Sequence, residues 1–185
     1  YHSNKIDLLR KIAHKFNFNL IVPEDNSTLK ILDSGLVFLS KYKIIYYKFN
    51  PWKVSNKTDR LANKGFLHVI IEFNNKELHV INVHLQAVYK ENVDTKFKSI
   101  GDKRYLQLQQ LEDYVTENQI SNFIIVGDYN IPPEEVELYN LFKNYSFHYT
   151  LEPTIYTNFE DKGKTNCQKL DENYLPNKLD YLITS

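Results

Sequence analysis

Two neighbouring stretches decide the fold: Gly65–Phe73, GFLHVIIEF, and Glu77–Leu85, ELHVINVHL. Both read as strands, and the Asn74-Asn75 pair between them tolerates the positive φ that a tight hairpin turn requires. Side chains alternate along a strand, so Leu78, Val80, Asn82 and His84 share one face of the second stretch.

Working outward, the segment from about Asn4 to Phe16 places Ile6, Leu9, Ala13 and Phe16 on one helical face. Short β-type runs follow at Leu20–Val22, Gly35–Leu39 and Ile44–Phe49. Beyond the hairpin, Tyr105, Leu108, Leu111 and Val115 mark an amphipathic helix over about Asp102–Asn118. Phe123–Val126 then reads as a buried strand. Pro132-Pro133 before Glu134 and Glu135 reads as a helix start, since proline fits the first turn and carboxylates favour the positive end of the dipole. Leu179–Thr184 gives a last strand. Many strands with helices between some of them point to a sheet-rich α/β or α+β fold.

Composition bounds the function. The 185 residues are 42% apolar and 14% aromatic, which suits one domain with a sizeable core and excludes a disordered chain. No apolar run reaches the roughly 20 residues needed to span a bilayer. The single cysteine, Cys167, excludes an internal disulfide and a cysteine-based zinc site. Lys plus Arg equals Asp plus Glu at 23 each, and only Arg10, Arg60 and Arg104 are arginines. Proteins that grip duplex nucleic acid through many phosphates carry a net basic, arginine-rich surface. This balance shifts the expectation toward a small or lipid phosphate, and the composition favours a soluble, cytoplasmic chain over a secreted one.

Three polar clusters interrupt otherwise apolar strands: Asn82-Val-His84-Leu-Gln-Ala87, Gly127-Asp128-Tyr-Asn130 and Lys178-Leu-Asp180-Tyr181. Each alone has an ordinary explanation, as a structural histidine, a turn or a loop cap. Together they form a set suited to phosphoester hydrolysis. Carboxylates hold a hard cation such as Mg²⁺, a neutral amide binds a phosphoryl oxygen without repelling it, and histidine donates to a phosphate or leaving group.

In this order the motifs resemble the endonuclease/exonuclease/phosphatase (deoxyribonuclease-like) superfamily of Mg²⁺-dependent hydrolases. Asp33-Ser-Gly-Leu-Val-Phe-Leu-Ser-Lys-Tyr-Lys-Ile44 is similar to its internal strand pair, and the three polar clusters to its histidine, Gly-Asp-x-Asn and Leu-Asp-Tyr strands. The sphingomyelinase-like branch is the best match, through Asn63-Lys-Gly-Phe66, His84-Leu-Gln-Ala87, Arg104 with Gln107-Leu108 and Leu111, and Pro153-Thr-Ile-Tyr with Asn166.

The resemblance implies a four-layer α/β/β/α sandwich of two mixed, mainly antiparallel sheets, in one domain over residues 1–185. It implies hydrolysis of a phosphodiester by in-line water attack, with sphingomyelin cleaved to ceramide and phosphocholine. His84 would bind the scissile phosphate, Asp128 would orient water and help hold Mg²⁺ (or Mn²⁺), Asn130 would hold a phosphoryl oxygen, and Asp180 would orient a base histidine. Asn82 and Asn166 are expected on the phosphate or substrate. The family's principal metal-ligand Glu and its Ser-Asp-His motif are not found between Tyr1 and Ser185, so the resemblance implies a sandwich incomplete at both termini and inactive as this stretch alone. None of His2, His14, His68, His79 and His148 is an evident substitute, and Glu24 reads as a solvated loop residue. The expected partner is a lipid phosphodiester rather than nucleic acid, with transient contact to a membrane surface. A nuclease or phosphoinositide phosphatase of the same superfamily, and a non-catalytic binding remnant of the fold, are the competing readings.

Overall fold

The computed structural model describes residues 2–23, 34–55, 63–87, 93–131, 146–149 and 180–185. Among them are two helices and eight strands: α1 (His2–Phe16), β1 (Asn19–Ile21), β2 (Phe38–Ser40), β3 (Ile44–Pro51), β4 (Gly65–Phe73), β5 (Lys76–His84), α2 (Val93–Glu117), β6 (Phe123–Asp128), β7 (Ser146–Tyr149) and β8 (Asp180–Thr184). β1 and β2 pair as a two-stranded sheet, and the others form a six-stranded sheet in the order β3-β4-β5-β6-β8-β7.

The β4–β5 hairpin forms as its sequence requires. Asn74 and Asn75 take φ of 51° and 59°, the left-handed values that match a two-residue turn to the twist of its strands. β5 then pairs parallel with β6. Parallel neighbours cannot be joined by a tight turn, and α2 is the crossover between them. All other strand pairs are antiparallel.

Alternation along β4 and β5 divides the apolar residues between two cores. On one face Phe66, Ile81 and Val83 pack with Leu108, Leu111 and Val115 of α2 and with Trp52. On the other, Leu67, Val69 and Ile71 pack with Leu36, and Ile21 and Phe38 bring the two-stranded sheet onto them. α1 packs beyond, against β1. The layers run helix, sheet, sheet, helix, and the expected α+β sandwich of mixed, mainly antiparallel sheets is the observed one.

Some boundaries differ for physical reasons. α2 starts at Val93, well before Asp102, because Gly101 and the β-branched residues before it obscure a helical signal. Tyr105 is exposed and Arg104, 1% exposed, takes its place beside Leu108 and Leu111 on the buried face. Phe16 is likewise exposed, while Ala13 is the buried residue among the described side chains of α1. β7 falls within the aromatic stretch around His148, where four residues are too few to show an alternating pattern. The expected helix at Pro132-Pro133 lies outside the described residues, as do Glu24, Pro153, Asn166 and Cys167.

Candidate active site

Three of the polar clusters meet in one row at the end of the large sheet. In the parallel β5–β6 pair His84 is the register partner of Asp128, and in the antiparallel β6–β8 pair Asp128 is the partner of Asp180. Residues far apart in the chain are thereby adjacent across three strands. The row lies at the carboxyl ends of the two parallel strands, where α/β sheets open a crevice for ligands. Asp180 enters this description through its backbone register alone.

Gly127 makes the close approach possible. Its φ is +134°, and a Cβ there would lie 2.2 Å from the Val83 carbonyl oxygen and 2.9 Å from Oδ1 of Asn82. Any side chain would push β6 off β5 just before Asp128. Past the strand, the Asn130 N–H donates to Oδ1 of Asp128 at 2.9 Å, closing an Asx turn, with Asn130 at φ 53°. The turn brings the Asn130 side chain back over β5, and its Nδ2 donates to the Leu85 carbonyl at 3.0 Å. The ordinary turn reading of Gly-Asp-x-Asn and the functional one describe the same geometry. The turn is what carries the amide to the histidine strand.

His84 is held from above by the segment before β2. Its Nδ1 lies 3.2 Å from the Ser34 carbonyl oxygen. A carbonyl only accepts, so Nδ1 carries the proton and Nε2 holds the lone pair of the neutral ring. Gly35, at φ +70°, runs close enough that a Cβ would sit 3.4 Å from Nδ1. Asn82, two residues earlier on the same face, donates from Nδ2 to the Val37 carbonyl at 3.4 Å. Asn82 and His84 therefore both anchor the segment that crosses over β5.

Two further side chains hold the same strand end. Trp52, 7% exposed, belongs to the α2-side core and donates its indole N–H to the His84 carbonyl at 2.8 Å. Trp52 is thus a packing residue that braces the strand end. Lys64, 8% exposed, reaches Leu85 O at 3.3 Å, so one carbonyl accepts from both an ammonium and the Asn130 amide. Trp52 carried a signal as the sole tryptophan, and Lys64 as part of Asn63-Lys-Gly-Phe66, but neither contact could be read from residue types.

His68 and His79 stand apart from this row. His68 Nε2 and His79 Nδ1 are 3.0 Å apart, and His68 Nδ1 meets the Tyr114 hydroxyl at 2.9 Å. Burial, then the neighbouring His79 and Lys48, lowers the His68 pKa to about 4. Burial lowers His79 too, against a raising influence of Glu77. Among the described residues no group of three or more His, Cys, Asp or Glu is placed to hold a metal. The row offers one described carboxylate, Asp128, with oxygen donors beside it.

No family model matches the chain. It is 27% identical over 157 residues to a phospholipase C from Staphylococcus aureus, covering 82% of this chain and 46% of that protein. It is 30% identical over 165 residues to sphingomyelinase C 2 from Leptospira interrogans, covering 84% of this chain and 25% of that protein. The chain thus spans less than half the length of these relatives. Its fold superposes on the crystal structure of SmcL with TM-score 0.71 at 22% identity, covering 96% of this chain and 65% of the other. A beta toxin variant from Staphylococcus aureus with bound magnesium ions gives 0.70 at 25% identity, covering 86% and 55%. Among the described residues no helix is long and apolar enough to cross a membrane. The expectation of a cytoplasmic chain draws no support from relatives of which one is called a toxin. By fold and by sequence, the chain is similar to the sphingomyelinase-like branch of the endonuclease/exonuclease/phosphatase superfamily.

Proposed function

We propose that the chain carries part of the catalytic site of a Mg²⁺-dependent phosphodiesterase acting on a choline phospholipid such as sphingomyelin. The observation that carries this reading is the row His84–Asp128–Asp180 at the strand ends, with the Asn130 amide folded back onto it. The names of the relatives, phospholipase C and sphingomyelinase C, support a lipid phosphodiester, as does the net charge of zero.

Mg²⁺ keeps several waters and takes one or two carboxylates together with substrate phosphate oxygens. Asp128 fits such a shell as one carboxylate donor, and the relative with bound magnesium supports the choice of ion. The bound ion would supply Lewis-acid stabilisation of charge on the phosphoryl oxygens. The protein groups do the rest. The Ser34 carbonyl fixes the proton on Nδ1 of His84, so Nε2 in its protonated form donates to a phosphoryl or leaving-group oxygen. One N–H of the Asn130 amide is committed to Leu85, and the other is available for a phosphoryl oxygen as negative charge grows there. The Asp128 carboxylate, already accepting from Asn130, orients the attacking water. Asn82, Asp180 and Asn166 complete the proposed substrate and base-positioning set.

The test is Mg²⁺-dependent release of phosphocholine from sphingomyelin by the full-length protein. The reading expects release that stops on chelation and is lost in His84→Ala. Undiminished release by that variant removes His84 from the site, and faster turnover of plasmid DNA or of an inositol lipid than of sphingomyelin moves the substrate assignment.

A further inference from the structure

α2 presents polar side chains to the strand ends at every third position. Arg104 donates to the Asn130 carbonyl oxygen. Gln107, 1% exposed, accepts from the Gln86 N–H at 2.9 Å and donates to the Val54 carbonyl at 2.8 Å. Gln110 accepts from the Lys53 N–H at 3.0 Å and donates to the Pro51 carbonyl at 3.1 Å. The spacing i, i+3, i+6 forms a ridge along the helix. Arg104 meets backbone that leaves β6, Gln107 backbone that leaves β5 and β3, and Gln110 backbone at the end of β3.

Gln107 holds a special place on this ridge because of what its partner peptide does. The Gln86 N–H and the Leu85 C=O belong to one planar peptide unit. Gln107 fixes the N–H end, while the C=O end accepts from the Asn130 amide and from Lys64. Rotation of that plane would swing the acceptor that aims the Asn130 side chain. The Gln107 carboxamide satisfies both of its bonds in only one orientation, since its oxygen must face an N–H and its nitrogen a carbonyl. Buried and bonded at both ends, it clamps the plane.

We propose that Gln107 is a positioning residue for the phosphodiesterase site: it orients the Leu85–Gln86 peptide and through it the amide of Asn130. This rests on the functional reading above. Gln107→Met keeps the volume and removes both hydrogen bonds. Gln107→Glu keeps an acceptor for Gln86 but places a carboxylate in a buried site. Gln110→Met cuts the neighbouring rung without touching the Leu85–Gln86 plane.

The experiment compares these variants in the full-length protein, by thermal unfolding, by phosphocholine release with kcat and KM separated, and by the Asn130 side-chain amide signals in ¹⁵N NMR. Positioning predicts that Gln107→Met lowers kcat at least tenfold with KM little changed and shifts the Asn130 signals. Gln107→Glu should retain more turnover than Gln107→Met despite lower thermal stability, and Gln110→Met should leave kcat and the Asn130 signals in place. A purely structural role would make turnover follow stability, with Glu below Met, and that order overturns the proposal. So does a folded Gln107→Met protein with unchanged kcat and unchanged Asn130 signals. If the wild type hydrolyses no phosphodiester, the functional reading falls. In that case a shift of the Asn130 signals in Gln107→Met, absent in Gln110→Met, still upholds the positioning role, and its absence removes it.

Discussion

The β4–β5 hairpin carries histidines in two settings that differ in what meets the ring. His84, at the end of β5, gives its Nδ1 proton to a backbone carbonyl and sits in register with a carboxylate. His68, inside β4, meets the Tyr114 hydroxyl with one nitrogen and another histidine with the other, and packs edge-on to the ring of Tyr46. Protonation of His84 keeps its bond to Ser34, because a carbonyl accepts from neutral and charged imidazole alike. Protonation of His68 turns both its nitrogens into donors and forces His79 to accept, in a buried place close to Lys48. The proposed function gives the first histidine a proton to exchange, while burial holds the second neutral. On that reading the same residue type on the same hairpin is chemistry in one place and packing in the other.

The contrast breaks or sharpens under mutation. The largest effect is expected from His84→Ala: phosphocholine release should fall by about 10²–10⁴-fold, the usual contribution of one acid–base group. Next, Asn130→Ala removes the proposed donor to the developing charge and should cost about 10²–10³-fold in kcat, with a stability loss of about 1–2 kcal/mol because alanine tolerates φ 53° poorly and the bond to Leu85 is lost. An effect confined to KM would make Asn130 a substrate-binding group instead.

His68 should show itself in stability rather than rate. Its folded-state pKa lies near 4, below the ordinary 6.5, so between these values the unfolded chain binds the proton that the folded one refuses. Stability is complete above pH 6.5, falls as pH drops toward 4, and loses nothing more from this group below that. The whole shift corresponds to about 3 kcal/mol. Urea unfolding at pH 7 and pH 4.5 should show this loss in the wild type and a shallower one in His68→Leu. An equal slope in both would assign the acid sensitivity elsewhere.

The smallest effect is expected from Trp52→Phe, which keeps an aromatic ring in the core and removes the indole donor to the His84 carbonyl. Stability should fall by about 1 kcal/mol, the net value of one hydrogen bond. Turnover should drop severalfold, because the carbonyl belongs to the strand end proposed to carry catalysis.

The sequence disclosed these regions unequally, and the reason is physical. That His84, Asp128 and Asn130 lie at strand ends was legible because a charged or amide side chain at the end of an apolar strand is costly and therefore conspicuous. The hairpin was legible because Asn74-Asn75 and the flanking β-type runs agree on one structure. The supporting contacts were not. Ser34 acts through its carbonyl, which every residue possesses, and Trp52 and Gln107 act on backbone groups far away in the chain. The distinction between His84 and His68 was legible only as strand end against strand interior. Their hydrogen-bond partners, which decide the chemistry, come from residues 34 and 114 and required the fold.

The most direct test places the two histidines side by side. Mg²⁺-dependent phosphocholine release should be measured for the full-length wild type, His84→Ala and His68→Leu at pH 7, each normalised to folded protein. The account predicts that release is lost with His84 and kept with His68. Equal retention in both variants, or loss in His68→Leu with retention in His84→Ala, would contradict it.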